Sequence, residues 1–152
     1  LVRTYRAKHA AIDAPLGHLL AGAAFLVQAV VVGVVAALGV GGTRTVVAYV
    51  VLLLGGWAAG VVTGHVPKLL SLSVGVWWPP GPRPKQAALY PRRLMLAEAL
   101  VFAAGIELLA AGVLAGSVAV TRTGSVLVLA ATLLVAAAAL DVWRRRLLQR
   151  RP

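Results

Sequence analysis

Four long apolar runs divide the chain, and charged side chains are rare within them. The runs cover residues 16–40, 46–66, 94–120 and 125–143. A helix rises about 1.5 Å per residue, so about 20 residues cross the ~30 Å hydrocarbon core of a bilayer. The pattern therefore predicts an all-α protein, in which residues 1–152 form a single domain built as a bundle of four transmembrane helices.

The segments between the runs predict the connections. Glycines and a threonine at residues 39–43 indicate a tight turn, and the short polar stretch 121–124 (Thr-Arg-Thr-Gly) is the predicted turn between the third and fourth spans. Residues 69–78 are apolar but too few to cross a bilayer, and they end in Trp77 and Trp78, a residue type that prefers the membrane interface. Residues 67–93 are therefore predicted to form an interfacial segment and a basic loop containing Pro-Pro-Gly-Pro-Arg-Pro.

Composition agrees with a membrane protein and explains the net charge of +11. Hydrophobic residues make up 61% of the chain and charged residues 12%, against about 25% charged in soluble domains. Thirteen of the fifteen Lys and Arg residues lie before the first span, in the segment 67–93 or after the fourth span. This distribution excludes a nucleic-acid-binding face, predicts a plasma-membrane protein with both termini in the cytoplasm, and places the basic tail along lipid headgroups.

Some chemistry is excluded by residue counts. The chain has no cysteine and one methionine, Met95, so disulfides, iron–sulfur clusters, thiolate metal sites and a thioether copper site are not expected. The sequence begins at Leu1, so we expect a processed chain or a piece of a longer one, and no cleavable signal peptide is recognisable.

Glycines recur every fourth residue in the second span, at Gly56, Gly60 and Gly64. A doubled GxxxG pattern leaves one helix face without side chains, which favours close packing of another helix. The alternative is that this face makes room for a flat macrocycle such as haem.

Two histidines are the candidate cofactor ligands. His18 and His65 are predicted at the same depth on spans that are neighbours in sequence, an arrangement that suits two axial ligands of a b-type haem. The alternative is that each histidine bonds a carbonyl, a lipid headgroup or a carboxylate. A third possibility is a zinc or non-haem iron site that also uses His9 and Glu98, although no HxxxH or HExxH spacing supports it.

Three polar residues inside the spans form a candidate proton or ion site. Gln28 and Glu107 lie near the centres of the first and third spans, where an ionised carboxylate is costly. The alternative for Glu107 is a neutral carboxyl bonded to Gln28 or to the indole of Trp57. Glu98 is nine residues from Glu107 and so lies on the opposite helix face. We expect both faces to be buried, which indicates a partner outside the four helices.

The region 45–146 resembles small membrane proteins related to haem–copper oxidase subunit I. In those relatives a span with a Leu-Gly-Trp signature ends in a His or Tyr, a Lys, a pair of leucines and a Trp. The matching residues here are Leu54, Gly55, Trp57, His65, Lys68, Leu69, Leu70 and Trp77. The resemblance implies haem binding or an accessory role in a respiratory chain.

The chain departs from that family in ways that limit the resemblance. Residues 46–49 are Val-Val-Ala-Tyr where the family commonly has histidines, and Pro67 precedes the lysine instead of following the leucines. The sequence has neither a His-His pair nor an HxH motif, so a binuclear centre and oxygen reduction are not expected.

Three functions follow as hypotheses. The first is a haem-binding or redox-associated membrane protein, a subunit or fragment of a respiratory assembly. The second is a non-catalytic structural subunit of a larger membrane complex or a homo-oligomer. The third is a small transporter centred on Glu107. Catalysis is not favoured by any motif.

Overall fold

The computed structural model describes residues 14–76 and 92–148, and these are helical apart from two short turns. The elements are α1 (Ala14–Ala37), α2 (Gly42–Val50), a π-helical stretch (Val51–Ala58) that continues directly into α3 (Ala59–Val76), α4 (Arg92–Ala115) and α5 (Val118–Leu148). Four spans within them are long and apolar enough to cross a membrane: Leu16–Ala37, Gly42–Val66, Arg93–Ala115 and Val118–Arg144. The predicted all-α bundle of four membrane helices is confirmed. His9, Trp77, Trp78 and the proline-rich stretch lie outside the described residues.

The turn between α1 and α2 lies where the glycines predict it. Gly39 has a positive φ of 75°, which a residue without a Cβ adopts at little cost. Its N–H donates to the carbonyl of Ala36 and the N–H of Val40 donates to that of Val35, at 3.0 and 3.2 Å. This pair of bonds is a Schellman motif and satisfies the last carbonyls of α1.

The second span ends at Val66, but its helix continues beyond that point. Helix α3 runs to Val76, so residues 69–76 are helical and follow the span without a break. Pro67 lies inside this helix and has no N–H to offer the carbonyl of Thr63. Membrane helices tolerate such a proline because neighbouring groups satisfy the freed carbonyl.

The predicted turn at residues 121–124 is wrong, and the chain reverses earlier, at Gly116 and Ser117. Gly116 has φ 67° and ends α4 with a second Schellman motif. Ser117 begins α5 as its N-cap, since its hydroxyl accepts the N–H of Val120 at 3.4 Å. Thr121 and Thr123 remain helical because their hydroxyls donate to the carbonyls four residues earlier, at 2.9 and 3.0 Å.

Glycines on the second span set its distance from α1. A methyl group added at Gly56 would lie 2.6 Å from the ring of Phe25, and one added at Gly64 would lie 2.6 Å from the Cβ of His18. Gly60 instead faces Phe102 of α4, at 3.5 Å. The glycine face is therefore filled by side chains of two neighbouring helices.

Helices α4 and α5 form an even closer hairpin. Gly105 and Gly124 let the two backbones approach, because a Cβ at Gly124 would lie 2.8 Å from the carbonyl oxygen of Gly105. The main core lies where α1, the π-helical stretch, α4 and α5 meet, and its buried residues are Phe25, Ala29, Leu52, Phe102, Ile106, Ala110 and Ala131.

We expect Gly124→Ala to destabilise the bundle by about 1–3 kcal/mol, because the added methyl group meets backbone atoms of Gly105 and Leu109 that no rotamer change can move. Gly17→Ala is the matched control, since nothing lies within 4 Å of the Cβ position at Gly17. Thermal unfolding of both variants in detergent micelles measures the difference. Equal stability of the two would contradict the backbone contact.

Candidate functional site

Two polar side-chain pairs join α1 to α4 within the membrane-spanning part of the bundle. His18 pairs with Glu98, and ten residues further along α1 Gln28 pairs with Glu107. Because both partners advance in the same direction, α1 and α4 run parallel. Glu98 and Glu107 are nine residues apart, which places the two pairs about 13 Å from one another along α4.

The His18–Glu98 pair is fully buried near the N-terminal ends of α1 and α4. His18 Nε2 and Glu98 Oε2 are 2.8 Å apart, and each side chain is 1% exposed. The position of His18 follows from Gly64, whose missing side chain leaves the space that the histidine occupies. The ring of Phe102 covers the other side of His18, with the ring centres 5.7 Å apart.

One polar atom on each partner has no hydrogen bond within the described part of the chain. These atoms are His18 Nδ1 and Glu98 Oε1, and both are buried. A buried polar atom without a partner costs about 1–3 kcal/mol. Native structures satisfy most such atoms, so each exception calls for a functional or structural reason.

A cavity of about 270 Å³ lies beside Glu98. It occupies the space between α3, α4 and α5, because α5 follows α4 closely but packs less tightly on α3. Its lining is mostly apolar and contains, besides the glutamate, two threonines; the lining residues are Thr63, Val66, Glu98, Phe102, Thr132, Val135, Ala136 and Ala139.

The second pair lies at the surface of the bundle. Gln28 Nε2 donates to Glu107 Oε1 at 2.6 Å. Of the two partners predicted for Glu107, the structure shows Gln28. Around the pair is a groove of about 280 Å³ between α1 and α4 whose other lining residues are apolar: Val27, Val31, Val32, Leu52, Ala110, Ala111 and Leu114.

The residue types on the exposed face of α4 recur every seven residues. Alanine recurs at 97, 104 and 111, and an exposed residue follows each alanine by three positions: Leu100, Glu107 and Leu114. Spacings of three and four residues keep these side chains on one helix face. Glu98 and Glu107 do lie on different faces, as predicted, but only the face of Glu98 is buried. Burial of the Glu107 face by a partner outside the four helices stays a prediction.

His18 and His65 have different hydrogen-bond partners in the structure. His65 is exposed, and its Nδ1 lies 2.7 Å from the carbonyl oxygen of Val61 one turn earlier, while His18 bonds Glu98. Side chains of His18 and Phe25 also fill the glycine face that would have to admit a macrocycle. As arranged here, these residues do not fit a haem between two axial histidines.

A metal site is not formed by the described residues either. Within residues 14–76 and 92–148 no three His, Asp or Glu side chains come close enough to hold an ion. The further ligand considered from the sequence, His9, lies outside the described residues.

The His18–Glu98 pair does not follow from the sequence. The order of the spans predicts both residues at the same end of the bundle, and the alternative in which the histidines bond a carboxylate and a carbonyl is the one that the structure shows. No pattern in the sequence, however, singles out Glu98 as the partner of His18. The missing signal is the parallel packing of the first and third spans, which no local pattern in the chain specifies. Gly64, four residues after Gly60, is the available clue that a side chain of another helix enters there.

Comparison with known protein families, with curated proteins and with solved structures finds no match for this chain. The polar pairs, the exposed faces and the cavity are therefore the features from which a function can be inferred.

We expect strong coupling between His18 and Glu98. His18→Leu and Glu98→Leu should each destabilise the protein, because each leaves a buried polar partner unsatisfied. The double variant should be less unstable than the sum of the two, with a coupling energy of about 1–3 kcal/mol. A double-mutant cycle based on thermal unfolding in detergent measures this, and additive effects would contradict the bond.

Haem ligation by His18 and His65 stays a prediction from the sequence, with a direct spectroscopic test. A bis-histidine haem b gives a reduced-minus-oxidised absorption band, which His18→Ala or His65→Ala should abolish because each removes an axial ligand. A colourless preparation, isolated from cells supplied with haem, rejects the prediction.

Proposed function

We propose that this protein is a subunit of a larger membrane assembly, and that the exposed face of α4 binds a transmembrane helix of a partner protein. The observation that carries the proposal is the Gln28–Glu107 pair, which lies mid-span on the outside of the bundle.

Lipid cannot satisfy this pair. Glu107 lies well inside the span Arg93–Ala115, at a depth where acyl chains offer neither donors nor acceptors. Gln28 uses one of its two amide N–H donors to bond Glu107. The amide oxygen of Gln28 and the second carboxyl oxygen of Glu107 are further polar atoms that can bond a partner. Ionisable residues in membrane spans almost always face a bundle interior or a water-filled cavity. A partner helix over the groove would give the pair such an interior.

The shape of the face favours a helix as the occupant. The face carries a row of small side chains that permits close approach of a helix: Ala97, Ala104 and Ala111. The larger residues Leu100 and Leu114 lie beside this row, three positions after Ala97 and Ala111. A seven-residue repeat suits a partner that crosses α4 at about 20°, the left-handed packing common in membrane bundles. The exposed Thr132 near the middle of α5 differs from the polar pair of the groove, because its hydroxyl donates to the carbonyl of Val128 in its own helix at 2.9 Å and needs no partner outside the bundle.

The partner lies in the same membrane as this chain. The Lys and Arg distribution predicts a plasma-membrane location with cytoplasmic termini, so the partner belongs to the same bilayer. The sequence resemblance favours a respiratory assembly as the larger complex. Ion or proton movement through Gln28, Glu98 and Glu107 is the competing function, and proteoliposome flux that survives Glu107→Gln would reject it.

Site-specific photo-crosslinking in native membranes tests the proposal. A benzophenone amino acid at Leu100, which is 72% exposed on the α4 face, should give an adduct with a second membrane protein of defined mass. Leu133 is the matched control, because it is 60% exposed on α5. The contacts of Gly105 with Val128 and of Gly124 with Leu109 place Leu133 level with Leu100.

The pattern of adducts decides the result. A protein adduct at Leu100 and only lipid adducts at Leu133 support the partner, and its mass tells a second copy of this chain from a different protein. Glu107→Leu should weaken the adduct at Leu100 because it removes the polar contact at the centre of the face. Lipid adducts alone at both positions overturn the proposal.

A further inference from the structure

The cavity beside Glu98 has the features of a small-molecule site. It lies between α3, α4 and α5, on a different face of α4 from Leu100 and Glu107, so it does not depend on the proposed partner interface. Two of its lining residues on α5, Thr132 and Ala136, are exposed, so the cavity opens to the surrounding bilayer.

The size of the cavity suits a single ring. A cavity of about 150 Å³ lined by apolar side chains binds benzene in an engineered protein. The volume here is about 270 Å³, enough for a ring with a small substituent. Phe102 supplies an aromatic wall, and Val66 and Val135 supply aliphatic ones. An apolar ligand is therefore favoured over water alone, which needs several polar partners.

A ligand that fills this cavity needs one polar group, a hydrogen-bond donor. Glu98 lines the cavity, and its Oε1 atom is buried without a partner among the described residues. The other oxygen, Oε2, is held by His18, so one small donor completes the hydrogen bonds of the carboxyl group.

We infer that this cavity binds a lipid-soluble molecule with one ring and one hydroxyl group, a phenol or ring alcohol. The ring lies against Phe102 and the valines, and the O–H donates to Glu98 Oε1. Such a ligand enters from the bilayer between Thr132 and Ala136. It satisfies the one polar atom that the described helices leave unpaired on this side of Glu98.

Fluorine NMR of the protein in lipid nanodiscs tests the inference with 4-fluorophenol and fluorobenzene as probes. The two differ by the hydroxyl group alone. We expect saturable binding of 4-fluorophenol at least tenfold tighter than that of fluorobenzene, since a hydrogen bond to a carboxyl group is the difference between them. Equal affinities, or no saturable signal above partition into lipid, overturn the inference.

A pair of neighbouring alanines provides the matched variants. Ala136→Leu fills the cavity without changing a polar group and should abolish saturable binding of both probes. Ala137→Leu makes the same change at a neighbouring exposed position that does not line the cavity, and it should leave binding unchanged. Unchanged binding in Ala136→Leu places the probe elsewhere and overturns the inference.

The role of the carboxyl group has its own variant. Glu98→Met keeps the side-chain length and removes the acceptor, so 4-fluorophenol should lose its advantage over fluorobenzene while ring binding persists. An advantage that survives this change contradicts donation to Glu98. If Glu98→Met does not fold, the two alanine variants still decide whether the cavity is the site.

Discussion

The entry of His18 into the space left by Gly64 is the contact on which the interior of this bundle depends. Without a side chain at Gly64, α1 lies close enough to α3 for the imidazole to pass inwards and reach Glu98 on α4 at 2.8 Å. Inside a membrane there is no apolar driving force between helices, so close packing and hydrogen bonds hold them together. This contact supplies both, because one histidine packs on a glycine of one helix and bonds a carboxyl group of another.

The two polar pairs differ in what surrounds them, and this difference separates their roles. His18 and Glu98 are each 1% exposed, so their hydrogen bond is shielded and fixes α1 against α4. Gln28 and Glu107 make a bond of similar length on the outside of the bundle, where polar groups need a further neighbour. The first pair therefore joins α1 to α4 inside the bundle, and the second is the reason we propose that four helices do not form the complete assembly.

Much of the architecture follows from local sequence. The spans were predictable because an uninterrupted apolar run of membrane-crossing length is rare outside membrane helices, and the first turn was predictable because Gly39 ends α1. The second turn does not lie at the polar residues 121–124, where polarity predicts it. Thr121 and Thr123 satisfy their hydroxyls within the helix, so Gly116 with its positive φ marks the reversal instead.

The sequence by itself determined the class of protein, the number of spans and the glycine positions at which helices approach closely. Those properties depend on residue type and on spacing along one helix, which are local. Which helices meet, and which polar side chains therefore pair, was decided only by the tertiary structure. His18 and Glu98 are eighty residues apart in sequence. Their pairing depends on the parallel packing of α1 and α4, and no pattern within either helix specifies the partner that its polar residue will face.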